Sequence, residues 1–360
     1  MSHKKILIFS LAYHPLVGGA EIAVKEITNR ISDIEFDVIT LRFKQEHLEK
    51  EKIGKCNVYR INTSKNLYPI KALLLAIKLH KNEPYDAIWA IMANWAGFAA
   101  LLFKFRFPRV PYVLTLQEGD PIPYIKRKVW FVYPLFKRIF LRADIIQVIS
   151  KYLGDWAKDM GYKGPLEIIS NGVDFNKFQN SNSKIDKGQV TLITTSRLVR
   201  KNAIEDIIKA LKFLPSNVKL QVLGVGPLES ELKHLSKGLP VEFIGFVSQD
   251  EILKHLHNSD IFIRPSLSEG QGISFIEAMA AGLPVIATPV GGIVDFLKDR
   301  ETGLFCEVNN PKSIADKVME YVNNPEMTKK ITDNARKMVE EKYDWDLVAK
   351  EMKTRVFDKV

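Results

Sequence analysis

Two glutamates eight positions apart, Glu269 and Glu277, stand in the stretch RPSLSEGQGISFIEAMAAGLPVIAT of residues 264–288. Gly270 and Gly272 follow the first closely, with Gln271 between them, and a helical run from Ile273 to Ala281 carries the second. Gly282 ends that run, Pro284 follows, and Val285 to Thr288 reads as a buried strand. Glycines let backbone N–H groups approach a ligand closely. The helix start leaves N–H donors unpaired at the positive end of its dipole, a place suited to phosphate. A carboxylate beside a phosphate is repelled by it, so the two glutamates fit hydrogen bonds from hydroxyls. Phosphate and many hydroxyls in one molecule describe a nucleotide sugar. The competing reading makes Glu269 a loop acid and Glu277 a solvated helix residue.

Cations that suit the same ligand lie upstream. Ser196-Arg197-Leu198-Val199-Arg200-Lys201-Asn202 follows the apolar run VTLITT. A guanidinium fork and a compact ammonium both match phosphate oxygens and can stabilise a leaving diphosphate. Gly224-Val225-Gly226-Pro227 follows another strand-like run. Its GxG does not extend to G-x-G-x-x-G, because Glu229 holds the sixth position, which argues against a nicotinamide site. In the first half, Gly18-Gly19 sits between a strand and a helix, with His14 nearby. Thr115 to Asp120 (TLQEGD) follows a further strand. Gln117 there cannot act as a general base, whereas Glu118 or Asp120 could.

These residues need elements to hold them. Strand-like runs alternate with helical ones: KILIFS with a strand at Lys5 to Ser10, a helix near Ala20 to Ile31, then DVITL, NVYRI, DAIWAIM, YVLTL, DIIQVIS and LEIIS. A second alternation begins at Gln189 with VTLITT, VKLQVLG, VEFIGFV, DIFIRPS, PVIAT and GLFCEV. Both predict parallel sheets wrapped by helices, with ligands beyond the carboxyl ends of the strands. Gly291-Gly292 reads as the start of one more helix. The 360 residues suit two domains. The polar stretch Asn180 to Gly188 reads as the linker. Cys56 and Cys306 are too few and too far apart for a disulfide scaffold, which points to a reducing, cytoplasmic setting. The apolar segment Ala87 to Phe103 divides into a strand (Asp86 to Met92) and a helix (Trp95 to Phe105), so no transmembrane helix is expected. No Cys/His cluster has metal-ligand spacing, and no metal or cofactor is expected. Asp344 and Asp346 form a D-x-D that reads as helix capping.

Charge is uneven. Residues 1–180 hold 27 Lys+Arg against 17 Asp+Glu, and residues 181–360 hold 25 of each, so the whole net charge of +10 lies in the first half. Within residues 104–142, basic residues interleave with Trp130, Phe131, Tyr133, Phe136 and Phe140. Such a mixture suits an anionic bilayer surface. Nucleic acid uses the same residue types, and a buried aromatic face with a basic outer one is the plainer alternative.

Taken together, these motifs resemble the retaining glycosyltransferases of family 4 (group 1), across essentially the whole chain and more strongly in the second half. The residues that carry the likeness are the Glu269/Glu277 pair, Arg197, the GxGP at Gly224, FIGFV at Phe243 to Val247, and NGVDFNKF at residues 171–178. The resemblance implies the GT-B fold: two Rossmann-like parallel-sheet domains facing a central cleft, at 1–180 and 181–342, with a C-terminal helix (343–360) crossing back to the first. It implies a metal-independent hexosyl transfer from a nucleoside-diphosphate sugar to an acceptor hydroxyl, in cell-envelope polysaccharide, glycolipid or lipid-linked glycan synthesis. Arg197, Lys201 and Glu269 become the catalytic candidates. The donor set is Gly18, Gly19, Arg197, Lys201, Gly224, Val247, Glu269, Gly270, Gln271, Gly272, Ile273 and Glu277. Gln117, Glu118 and Asp120 fall on the acceptor side, with Gln117 where many relatives carry histidine. The family's phosphate lysine stands five residues after the arginine, where this chain has Asn202. Lys201 is one position early, and Arg200 is its substitute. A lipid-linked acceptor implies peripheral membrane contact through the basic first half, and no nucleic acid. The rival readings are an epimerase or phosphorylase of the same fold, a two-carboxylate hydrolase, and a non-catalytic module binding membrane or nucleic acid.

Overall fold

The computed structural model describes residues 4–16, 18–178 and 188–360, with only the backbone of Gln249 and Asp250. The expected linker, Asn180 to Gly188, lies outside the described residues apart from Gly188. The chain divides into two compact units, residues 1–171 with 345–360, and residues 172–344.

Unit 1 is built on eight strands: β1 (Lys4–Phe9), β2 (Ile34–Leu41), β3 (Lys50–Ile53), β4 (Cys56–Ile61), β5 (Ala87–Ile91), β6 (Tyr112–Leu116), β7 (Ile145–Val148) and β8 (Leu166–Ile168). Their order across the sheet is β3-β4-β2-β1-β5-β6-β7-β8, and every pair is parallel except β3 with β4. The central strands are apolar throughout because helices cover both faces: Ile6 to Phe9 and Tyr112 to Leu114 have no exposed surface. One buried polar chain crosses this core. Trp89 Nε1 donates to Thr115 Oγ1 at 2.7 Å, Thr115 donates to Gln147 Oε1 at 2.7 Å, and Gln147 Nε2 donates to the Ile169 carbonyl at 2.6 Å. Each donor finds an acceptor, so the chain fixes the register of β5, β6 and β7. The segment from Trp345 onward belongs to this unit. Its helix (Trp345–Glu351) packs on the helix Gly19–Arg30. Asp346 pairs with Arg30 at 2.7 Å, and Phe357 meets Trp89 edge-to-face with ring centroids 5.1 Å apart.

Unit 2 carries six strands, β9 (Val190–Thr195), β10 (Val218–Leu223), β11 (Val241–Gly245), β12 (Ile261–Arg264), β13 (Val285–Ala287) and β14 (Leu304–Phe305). They form one parallel sheet in the order β11-β10-β9-β12-β13-β14. The strand order reverses direction between β9 and β12, and in open α/β sheets ligands bind at such a point, beyond the carboxyl ends. Asp344 belongs to this unit and lies 3.3 Å from the Phe175 amide, which donates to it. Gly291–Asp295 is a 3-10 turn where a helix is expected. Cys56 and Cys306 are both buried and unpaired. Among the described residues, no helix is long and apolar enough to cross a membrane.

Candidate functional site

The candidate donor residues of unit 2 come from loops at one edge of its sheet. Arg197 to Asn202 follow β9, Gly224 follows β10, Val247 follows β11, and the loop holding Glu269 follows β12. Backbone hydrogen bonds lace these loops together. The Gly224 amide donates to the Gly245 carbonyl at 2.7 Å, Ser196 N to Leu223 O at 3.0 Å, and Leu267 N to Lys201 O at 2.7 Å. The phosphate-side loop and the Glu269 loop therefore share one backbone scaffold.

The helix Ile273–Ala280 is only eight residues long and would not persist alone. It is held because Phe275, Ile276 and Met279 are fully buried, each side chain contributing roughly 1.5–3 kcal/mol. Gly272 caps it in the left-handed region (φ 83°), no side chain caps it, and its first turn holds no acid. A Cβ at Gly272 would lie 3.2 Å from the Glu269 carboxyl carbon, so that carboxylate stands beside the helix start, and its charge is paired with Arg264. The uncapped helix end keeps N–H donors available for a phosphate. Glu269 and Glu277 flank it, and both are buried, at 7% exposure each. This removes the alternative in which Glu277 is a solvated helix residue. Gly270 and Gln271 are buried as well, whereas Gly272 and Ile273 are half-buried.

Glu269 is held from two sides. Its Oε1 accepts the Gly270 amide at 3.0 Å, and its Oε2 forms an ion pair with Arg264. Its carbonyl accepts the Gly292 amide at 3.1 Å. Gly291, at φ 55°, brings its backbone so close that a Cβ would lie 2.0 Å from that same carbonyl oxygen. A carboxylate has about four lone-pair positions, so capacity remains for sugar hydroxyls.

The cations differ in exposure. Arg197 and Arg200 are exposed, and Lys201 is half-buried. Arg200 makes a long surface pair with Glu231, at 3.5 Å. Asn202, which stands where the resemblance places lysine, is buried and structural. Its Nδ2 donates to the Arg197 carbonyl at 2.6 Å, and its Oδ1 accepts from Arg264 at 3.3 Å. Arg264 has no role in the sequence reading. The signal for it is an arginine ending an apolar strand, which when buried requires an acid nearby, and Glu269 is the first acid after it.

Unit 1 gathers its candidates at the carboxyl edge of its own sheet. Gln117 and Glu118 follow β6 and are buried, while Asp120 is exposed. Gln117 Oε1 accepts from Asn171 at 3.2 Å. Glu118 Oε1 accepts the Ala93 amide at 2.6 Å, and among the described residues its Oε2 is buried without a partner. Burial pushes this carboxyl up to about 7, partly offset by the backbone amides of Ala93, Glu118 and Gln117. Glu118 can therefore exchange a proton near neutrality, as a general acid or base must. Gly18 and Gly19 open the helix after β1, with the Glu21 carboxyl lying against Gly18. Burial raises the Glu21 carboxyl as well. His14 is half-buried, and burial and Lys25 lower its pKa. Among the described residues, no group of three or more His, Cys, Asp or Glu could hold a metal ion.

Comparison with known proteins now decides the family. Residues 17–177 match the model of Glycosyltransferase Family 4, and residues 175–338 match that of Glycosyl transferases group 1. The chain belongs to the family 4, group 1 glycosyltransferases. It is 29% identical to an uncharacterized glycosyltransferase of Methanocaldococcus jannaschii, over 95% of each chain. It is 29% identical to the capsular polysaccharide biosynthesis glycosyltransferase CapM of Staphylococcus aureus, covering 79% of this chain and 80% of that one. Among solved structures, Anabaena HepE in complex with UDP-glucose superposes with a TM-score of 0.83 over 99% of this chain and all of that one. At 20% identity this likeness speaks for the fold, which is GT-B.

Proposed function

We propose that this glycosyltransferase moves a hexosyl group from a nucleoside-diphosphate sugar to an acceptor hydroxyl with retention of anomeric configuration. The observation that carries the reading is the helix start at Gly272, without a side-chain cap, with two buried glutamates close by and the Glu269 charge paired with Arg264. A diphosphate fits the helix start with Arg197 and Lys201, which draw off the leaving group and supply the positive charge for which other enzymes use a metal. Glu269 accepts hydrogen bonds from the sugar and Glu277 from the ribose. Gly224, Val247, Gly270, Gln271 and Ile273 present backbone to the donor. The acceptor hydroxyl attacks on the face from which the diphosphate leaves, and its proton passes to the departing phosphate oxygen. Residues 1–171 serve the acceptor and residues 172–344 the donor.

HepE, crystallised with UDP-glucose, supports a UDP-sugar as donor. CapM supports an acceptor in cell-envelope polysaccharide or glycoconjugate synthesis. A cytoplasmic enzyme docked on the membrane fits an acceptor carried on lipid. The supporting observation is the segment of residues 122–132. Trp130 is 74% exposed, Phe131 66%, and Tyr124 is exposed beside Lys126, Arg127 and Lys128. Phe136 and Phe140 are buried instead, so the aromatic set of residues 104–142 is split between core and surface.

Thermal unfolding with a panel of nucleoside diphosphates and nucleotide sugars tests the donor site. A ligand at a hundred times its Kd adds about 2.7 kcal/mol of apparent stability. A shift with one base, lost in Arg197→Ala, is expected. Absence of any shift would leave the non-catalytic module as the better reading, and turnover that requires inorganic phosphate would favour a phosphorylase.

A further inference from the structure

Arg264 ends the apolar strand β12, yet its side chain turns into the unit and is buried. A guanidinium stays inside only where acceptors meet its donors. Three acceptors do so, each from a different segment. Glu269 Oε2 comes from the loop after β12, Ser274 Oγ at 2.7 Å from the first turn of the helix, and Asn202 Oδ1 at 3.3 Å from the loop after β9. The Phe275 ring lies 5.2 Å from the guanidinium carbon. Asn202 also donates to the Arg197 carbonyl at 2.6 Å. One planar fork thus connects the backbone of Arg197, the carboxylate of Glu269 and the helix start at Gly272.

We propose that Arg264 is the positioning residue of the donor site. Resting on the donor-site reading above, this inference deepens it. Arg264 holds the Glu269 carboxylate where the sugar hydroxyls reach it. It thereby determines how strongly the site prefers a nucleotide sugar over the bare nucleoside diphosphate. A lysine could pair with Glu269 but could not reach all three acceptors from one rigid plane. An apolar residue would leave Glu269 buried beside no cation.

Calorimetric titration of the full chain with UDP, GDP and ADP, and with UDP-glucose, GDP-mannose and ADP-glucose, tests this. In Arg264→Met, affinity for the preferred nucleotide sugar falls tenfold or more, while affinity for its nucleoside diphosphate changes less than threefold. Arg264→Lys recovers part of the loss. Glu269→Gln shows the same selective loss, and Arg264→Met with Glu269→Gln is no worse than the poorer single variant, because both act through one contact. The double variant leaves neither charge buried, so it folds and reports the lost preference even where Arg264→Met alone folds poorly. Equal weakening of sugar and diphosphate binding would reduce Arg264 to a fold-holding residue and overturn the inference. Losses that multiply in the double variant would overturn it too, as would an Arg264→Met chain that binds like wild type, or a wild type that binds diphosphate and nucleotide sugar alike. A wild-type chain that binds none of the six probes sinks the donor-site reading itself.

Discussion

Replacing Gly291 by alanine perturbs Glu269 without touching its side chain. The backbone there sits at φ 55°, and a Cβ would lie 2.0 Å from the Glu269 carbonyl oxygen and 3.0 Å from its carbonyl carbon. Such contacts essentially never fall under 3.0 Å, so one backbone must retreat by about 1 Å. The left-handed conformation costs an alanine about 1–2 kcal/mol. Relieving an overpacked contact costs about 1–3 kcal/mol more. Together these predict a loss of about 2–5 kcal/mol in the unit of residues 172–344. For a unit of that size each kcal/mol moves the midpoint by about 2–4 °C, so its melting transition falls by roughly 4–20 °C. The Gly292 amide bond to the Glu269 carbonyl moves as well, so nucleotide-sugar affinity falls in whatever fraction remains folded. Gly19→Ala is the internal control. Nothing lies within 4 Å of a Cβ at that position, at the start of a helix, and the change is neutral or stabilising by up to about 1 kcal/mol. Differential scanning calorimetry reads both variants. A Gly291→Ala chain that melts within 1 °C of wild type would refute the claim that the Gly291-Gly292 turn clamps Glu269.

Two further predictions concern unit 1. The Glu118 carboxyl, raised by burial from 4.5 to about 7, stays protonated in the fold at pH values where the unfolded chain has lost the proton. Its contribution to stability is therefore full below pH 4.5 and is lost as pH rises through about 7, with a ceiling of about 3 kcal/mol. Glu118→Gln removes this slope, whatever its constant cost, so urea midpoints of the two chains should diverge from pH 5 to 8; parallel curves would show that Glu118 titrates as in water. For the membrane surface, each basic residue near an anionic bilayer contributes about 1 kcal/mol. Replacing Lys126, Arg127 and Lys128 by glutamine should then weaken flotation with phosphatidylglycerol liposomes about a hundredfold at low salt. Failure of the wild-type chain to float at low ionic strength would remove the peripheral contact.

The regular core was legible because parallel strands buried on both faces are apolar runs, as in VTLITT and YVLTL, where every residue is buried. The edge was not. β3, Lys50-Glu51-Lys52-Ile53, pairs antiparallel with β4 across a turn at Gly54, and with Lys50 and Lys52 exposed and three of its four residues charged it carries no apolar signal. GLFCEV contributes only Leu304 and Phe305 to the sheet. In the site, the Glu269/Glu277 pair and the helix start could be read from local spacing. Arg264 and Asn202 could not, because their partners lie 5 to 62 positions away and only the parallel crossover from β9 to β12 brings them together. The same limit applied to the aromatic residues of 122–140: composition alone cannot tell a Phe136 that packs against Trp156 from a Trp130 that faces water.

The central claim is that unit 2 holds the donor and that its sugar leaves with configuration retained. The measurement that tests it most directly is turnover of the nucleotide sugar found to bind, in the presence of isolated membranes, with the anomeric configuration of the first-formed product read by NMR. Retention is expected, with turnover lowered about 10²–10³-fold in Arg197→Ala, the scale for removing one donor to a developing oxyanion. An inverted product, or turnover that Arg197→Ala leaves unchanged, would contradict the account.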